Sequence, residues 1–329
     1  GLDSTAALIG FMIYKKQVYV NDGNPILKRL HIRERGEGQG LYINNANLTI
    51  NNLEVKNNVG AQVGGGGIYL YESTVTFNNA IIDSNSSGGS GGAVYSRSSH
   101  ITINNSQIND NASQGHGGGI NSEGDFSYTL TNVTVARNSS VASNGGGGGG
   151  ILIYGNVETV VSFTKVIIDN NAVLGGEGGG GIYAGGTTAN FHIKNSSITN
   201  NRSIAGGNGS GGLGGGLYEN VGGQGANYTL LNIENTSFIN NTANNHGGGA
   251  YIRHNNHSRA YLTNVLFAEN NGGYPNNDKV SGFYYYTSTH ETRDLRIING
   301  TFVKNLGSSV ISIEGSGTQE IKNTIVWHN

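Results

Sequence analysis

The stretch from Gly64 to Asn85, GGGGIYLYESTVTFNNAIIDSN, returns as GGAVYSRSSHITINNSQINDN and again as GGGINSEGDFSYTLTNVTVARN. Repetition at this interval restricts the chain to stacked architectures, in which each unit touches only its neighbours. Three positions can be followed from unit to unit. The first is an apolar residue at or just after a Gly-rich turn: Ile68, Val94, Ile120, Ile151, Ile182, Leu217, Ala250, Phe283 and Val310, at spacings of 26, 26, 31, 31, 35, 33, 33 and 27 residues. The second is an Asn that ends a short alternating stretch, at Asn52, Asn79, Asn105, Asn132, Asn195, Asn235, Asn264, Asn299 and Asn323, with Lys165 as the exception. The third is an apolar residue three places before an Asn, running in ten units from Val55 and Asn58 to Val326 and Asn329.

Such spacing predicts one turn of variable circumference per unit: an all-β solenoid, a parallel β-helix of nine to ten coils of about 26–35 residues. Strand side chains alternate faces, so an inward aliphatic at the first position places the Tyr that follows it, at 69, 95, 183, 218, 251 and 284, on the outward face. An Asn at the same corner of every coil has two physical reasons. Stacked carboxamides donate to one neighbour and accept from the other, and Asn tolerates the left-handed backbone of a sharp bend. The expected ladder comprises Asn79, Asn85, Asn105, Asn111, Asn132, Asn138, Asn235, Asn241, Asn264 and Asn270. Thr74 and Thr76 stand as an isolated pair, and no threonine ladder is expected from them. Residues 42–329 form the repeat domain. Residues 1–41 fall outside the repeat; the mostly apolar run from Ser4 to Val20 reads as an N-terminal cap and entering strand covering the first open edge.

Apolar content of 35% and charged content of 12%, beside 56 Gly, exclude a large three-dimensional core but allow a thin continuous one. A formal charge of −2 argues against a nucleic-acid partner, which selects a basic stripe. No apolar run approaches the roughly 20 residues of a membrane span. The absence of Cys removes disulfides and thiolate metal sites, and 8 Asp are too few for a calcium-binding array, so no metal and no cofactor is expected.

The pairing of Gly-Gly-(Ile/Leu/Val/Ala) with Phe-x-x-Asn resembles the repeats of the polymorphic outer-membrane proteins, adhesin-like passenger domains best known from chlamydiae. Gly66-Gly67-Ile68, Gly118-Gly119-Ile120, Gly180-Gly181-Ile182 and Gly215-Gly216-Leu217 carry the first motif, and Phe238 to Asn241, Phe267 to Asn270 and Phe302 to Asn305 the second. The resemblance covers residues 42–329 and implies a single-stranded, right-handed parallel β-helix in an extracellular or cell-surface setting, structural or adhesive and not enzymatic.

β-Helices also house polysaccharide lyases and hydrolases, so catalytic constellations need weighing. Gly115-His116-Gly117 matches a polygalacturonase signature by letter, but His246 occupies the same slot in a later coil and the acidic companions are missing. Asp83, Asp110 and Asp169 form a surface row and do not converge as a carboxylate pair. The richest local cluster comes from two adjacent loops. Arg253, His254, His257 and Arg259 follow one Tyr, and Tyr284, Tyr285, Tyr286, His290 and Arg293 belong to the next unit. Aromatic faces and cations suit a glycan or a surface protein as partner. The alternative reading is a lyase acting on an acidic glycan, with Arg and a His or Tyr base from this cluster. Asn208, Asn227 and Asn256 are sequons in variable loops and the expected glycosylation acceptors; those on ladder positions are explained by stacking alone. The final unit ends on a ladder Asn with an open strand edge, which predicts either that the natural chain continues or that another protomer stacks there end to end, as in a longer filament or stalk.

Overall fold

A computed structural model describes residues 6–62, 64–142, 146–156, 159–186, 190–205, 211–221, 229–254, 258–273, 279–287 and 293–329. Within them every regular element is a β-strand, and every strand pairing is parallel. The strands form three sheets that enclose a narrow lumen. One sheet, called here the tyrosine sheet, has 11 strands in chain order, from Val18–Asn21 through Ile68–Tyr71 to Ser309–Glu314. The long sheet has 20 strands in two columns, and the short sheet has 8 strands of two or three residues.

The first-position residues Ile68, Val94, Ile120, Ile151, Ile182, Leu217, Ala250 and Phe283 stack in register at 0% exposure. Rings lengthen this core in the later coils: Phe238, Phe267 and Phe302 stack at 4.7 and 4.9 Å. Full burial of each such side chain contributes about 1.5–3 kcal/mol, and a row of them sustains a chain with little apolar content. In the last coil Phe283 pairs with Ile311 in place of the expected Val310, because the register shifts between Val280 and Phe283.

The segment before residue 42 is not a separate cap. Val18 pairs with Leu41 and Leu41 with Ile68, while Leu27 and Leu30 stack on Ile50 and Leu53, so the stack already runs through it. Those two coils escaped the repeat because no glycine pair precedes Val18 or Leu41. Thr76 is not isolated either. Thr49, Thr76, Thr102 and Thr129 occupy one register row, followed by Ser162, since a row needs the same slot and not the same dipeptide in each coil.

The two asparagine rows divide the work that the sequence assigned to both. The outer row, Asn52, Asn79, Asn105, Asn132, Asn195, Asn235, Asn264 and Asn299, takes positive φ of 49–56° and faces solvent. In the inner row, Asn58, Asn85, Asn111, Asn138, Asn171, Asn201, Asn241, Asn270 and Asn305 are at most 1% exposed, and the left-handed residue is the one before each of them. Asn171 illustrates the inner bonding. Its Nδ2 donates to Asn201 Oδ1 at 3.0 Å and to the Val135 carbonyl at 2.9 Å; its Oδ1 accepts from Asn138 Nδ2 at 3.0 Å and from the Asn138 backbone N–H at 2.9 Å. Burial therefore closes the inner sequons to any glycan, whereas outer positions such as Asn235 stay solvent-facing.

Glycine is obligatory where coils meet back to back. A Cβ on Gly118 would lie 2.3 Å from the Ser139 carbonyl oxygen and 2.4 Å from that of Gly149, both backbone atoms that cannot step aside, while one on Gly88 would meet nothing closer than 3.6 Å.

Two measurements check this account. Asn171→Ala leaves several buried donors and acceptors unmatched and should lower stability by roughly 2–5 kcal/mol, with Asn171→Asp worse because it faces acceptors with a buried charge; denaturant melts and local amide exchange around Asn138 report it. Gly118→Ala should be strongly destabilising in the same melts, and Gly88→Ala should stay within about 0.5 kcal/mol of the parent.

Candidate functional site: the outer face of the tyrosine sheet

Alternation along these strands sets what the outer face can offer. The first outward row holds two runs of rings. Tyr19, Tyr42, Tyr69 and Tyr95 stack at 4.9, 5.0 and 5.2 Å, and Tyr183, Tyr218, Tyr251 and Tyr284 follow at 5.2, 5.2 and 4.7 Å. These rings point away from the lumen but, in the second run, not into water. Tyr183 and Tyr218 are 4% and 1% exposed and form a second apolar cluster with Leu152, Tyr251, Val280 and Tyr284. Gly-rich turns fold back as its cover: a Cβ on Gly178 would sit 2.9 Å from the Tyr218 ring, and the His246 imidazole stacks on Tyr284 at 4.8 Å. Burial pushes the Tyr183 and Tyr251 hydroxyls up to about 12, so both stay protonated at neutral pH.

Solvent meets the next outward row instead, which carries Tyr71, Arg97, Glu123, Tyr154, Arg253 and Tyr286 in successive or near-successive coils. Tyr154 is 52% exposed, and the Arg253 guanidinium lies 5.8 Å from the Tyr286 ring centre. Tyr71 with Arg97 and Arg253 with Tyr286 sit in adjacent coils, about 4.8 Å apart, and Gly185 and Asn220 separate Tyr154 from Arg253, so the row offers spaced ring and guanidinium faces to a sugar.

The cluster expected from two loops is split by the same alternation. Arg253 and Tyr284 are on the outer side, the latter under the glycine cover. His254 and Tyr285 turn into the lumen, at 0% and 2% exposure. His254 Nε2 lies 2.9 Å from Glu219 Oε2, and the Tyr285 hydroxyl 3.4 Å from His254 Nδ1. With the proton on Nε2, the imidazole donates to Glu219 and accepts from Tyr285, satisfying a buried polar trio. Arg259 sits on the outer face of the long sheet, in register with Asp294, and so belongs to a different surface from Arg253. Arg293 lies in the strand that pairs with Ser258, and nothing is described of its side chain. His257 and His290 lie outside the described residues, as do Asn208, Asn227 and Asn256. Glu219 was missed in the sequence although the signal was present: Tyr218 takes the outward slot, so its neighbour must face in.

The remaining titratable candidates are engaged in structure. Asp110 accepts from Arg137 Nε at 2.8 Å and from an Arg137 terminal nitrogen at 2.6 Å, and Asp169 accepts from Thr199 and Asn200 at 2.6 and 2.7 Å. His116 is half-buried, its Nδ1 has no hydrogen-bond partner among the described residues, and desolvation lowers its pKa. Among the described residues no group of three or more His, Asp or Glu is placed to hold a metal, and no helix is long and apolar enough to cross a membrane.

For His116 the sign of the pH effect follows from a folded pKa below the unfolded value of 6.5. The unfolded chain binds the proton more readily, so stability is present above pH 6.5 and is lost as pH falls through the folded pKa. Melts of the parent between pH 7.5 and 5 should fall more steeply than those of His116→Gln.

Residues 11–135 match the model of a protein family described as a right-handed beta helix region. That match gives the coil its hand, and parallel pairing continues unbroken beyond residue 135 as far as Trp327. No curated protein and no solved structure matches the chain.

Proposed function

We propose that the protein is a non-enzymatic extracellular or cell-surface scaffold, structural or adhesive in role, whose outer strip of Tyr71, Tyr154, Arg253 and Tyr286 contacts glycans. The observation that carries this reading is the separation of binding from basic groups. Arg253 and Tyr286 are on the solvent side of their strands, while His254 and Tyr285, two of the candidates for a lyase base, are enclosed in the lumen against Glu219. A base shielded from solvent by a whole sheet cannot reach a proton on a ligand held outside it. Rigidity supports the same reading, because an inner ladder satisfied in every coil resists bending along the axis and suits a stalk or filament segment.

Glycan-array binding and a uronate-lyase assay test it together. Arg253→Ala should weaken glycan binding roughly 3-fold to 10-fold without lowering the melting temperature, the range expected for loss of one stacked guanidinium. Neither protein should generate the absorbance of unsaturated uronate products. Product formation by the parent that disappears in Arg253→Ala would replace this reading with the lyase.

A further inference from the structure

The outer asparagine row is interrupted at one coil. Asn132 donates its Nδ2 to Asn105 Oδ1 at 2.8 Å, and Asn235 donates to Asn195 Oδ1 at 3.1 Å, but Lys165 stands between Asn132 and Asn195 and has no carbonyl to pass the ladder on. Among the described residues, Asn132 Oδ1 then has no ladder donor and Asn195 Nδ2 no ladder acceptor. Lys165 holds positive φ, 56°, where Asn is the better residue, and among the described residues it has no carboxylate within ion-pair distance. Its neighbour Lys194 is by contrast paired with Glu234 at 3.1 Å. Other charged residues of this chain also take positive φ, so what sets Lys165 apart is that it interrupts the outer ladder, the kind of local departure that functional sites show.

A shallow depression, open to solvent, lies at this same place. It has a volume of about 500 Å³ and is lined by Asn132, Lys165, Ile167, Asn195, Ser197 and Asn235. Ile167 is 48% exposed and supplies an apolar floor, while amides and hydroxyls surround it. Alternating apolar and amide contacts suit a pyranose ring, which presents C–H groups on its faces and hydroxyls at its edge. Lys165, the cation of this lining, has no ion-pair partner among the described residues and adds a preference for an acidic substituent.

We propose that this depression binds a segment of an acidic polysaccharide, with the Lys165 ammonium meeting a carboxylate or sulfate and the amides of Asn132 and Asn195 meeting ring hydroxyls. The inference deepens the glycan-contact reading by naming a second locus, on the long sheet, and the acidic class of sugar it takes.

Titration calorimetry with three hexasaccharides tests it: an oligogalacturonate, a heparin-derived sulfated oligomer and a neutral glucose oligomer. At least one acidic probe should bind, more weakly at 500 mM than at 50 mM salt, and the neutral probe should bind about 5-fold less tightly or worse, as expected for one solvent-exposed charge contact. The two acidic arms distinguish uronate from sulfate. Lys165→Asn rebuilds the ladder, so it should keep or raise the melting temperature while reducing acidic-probe affinity to the neutral level. Retained acidic affinity in Lys165→Asn, equal binding of acidic and neutral probes, or no binding of either acidic probe at millimolar concentration would each overturn the proposal. Loss of binding in Arg253→Ala alone would assign the ligand to the tyrosine sheet and overturn the site at Lys165.

Discussion

Burying an amide is tolerable only if all of its hydrogen-bonding capacity is used, and that requirement organises this molecule. Each inner Asn spends its donors on a neighbouring amide and a backbone carbonyl, and its acceptor on two donors of the preceding coil. The bend it occupies is therefore closed without water, and the next coil must place an Asn in the same slot or leave unmatched groups behind. Circumference is free to vary because length changes fall in turns that do not touch this row. The coil from Ile182 to Leu217 spans 35 residues and that from Val94 to Ile120 only 26, yet both carry the corner amide in register.

Glycine does the complementary work. At Gly92, Gly118, Gly149 and Gly180 the carbonyl of the next coil lies 2.2–2.4 Å from where a Cβ would stand, so consecutive turns approach more closely than any side chain permits. The same composition lets turns lie flat over the outward tyrosines, which converts what would be an exposed aromatic stripe into a second apolar layer. A chain poor in aliphatics thus obtains two thin cores, one inside the coil and one beneath its turns.

Fold class was legible because the inner row depends on a fixed local spacing: Val55 to Asn58 and Phe267 to Asn270 are the same three-residue step, whatever the turns do. Features that depend on register between coils were harder to see. Thr49, Thr76, Thr102 and Thr129 sit in dissimilar local sequences and become a row only when strands are aligned. The candidate site suffered most, because Arg253 and His254 were read as loop neighbours when they are consecutive strand residues on opposite faces. Burial of Tyr218 was invisible for another reason: its cover is glycine, which leaves no side-chain signature of contact.

The two amide rows run in opposite senses. Inner carboxamides donate toward the later coil, as Asn85 does to Asn111, whereas outer ones donate toward the earlier coil, as Asn79 does to Asn52. Each row is a line of aligned dipoles, and alone it would build up opposite partial charges at the two extremities of a growing rod, as aligned peptide units do along a helix. Running in opposite senses on either side of a three-residue strand, the lines offset each other in part, so adding turns polarises the body less than one row alone would.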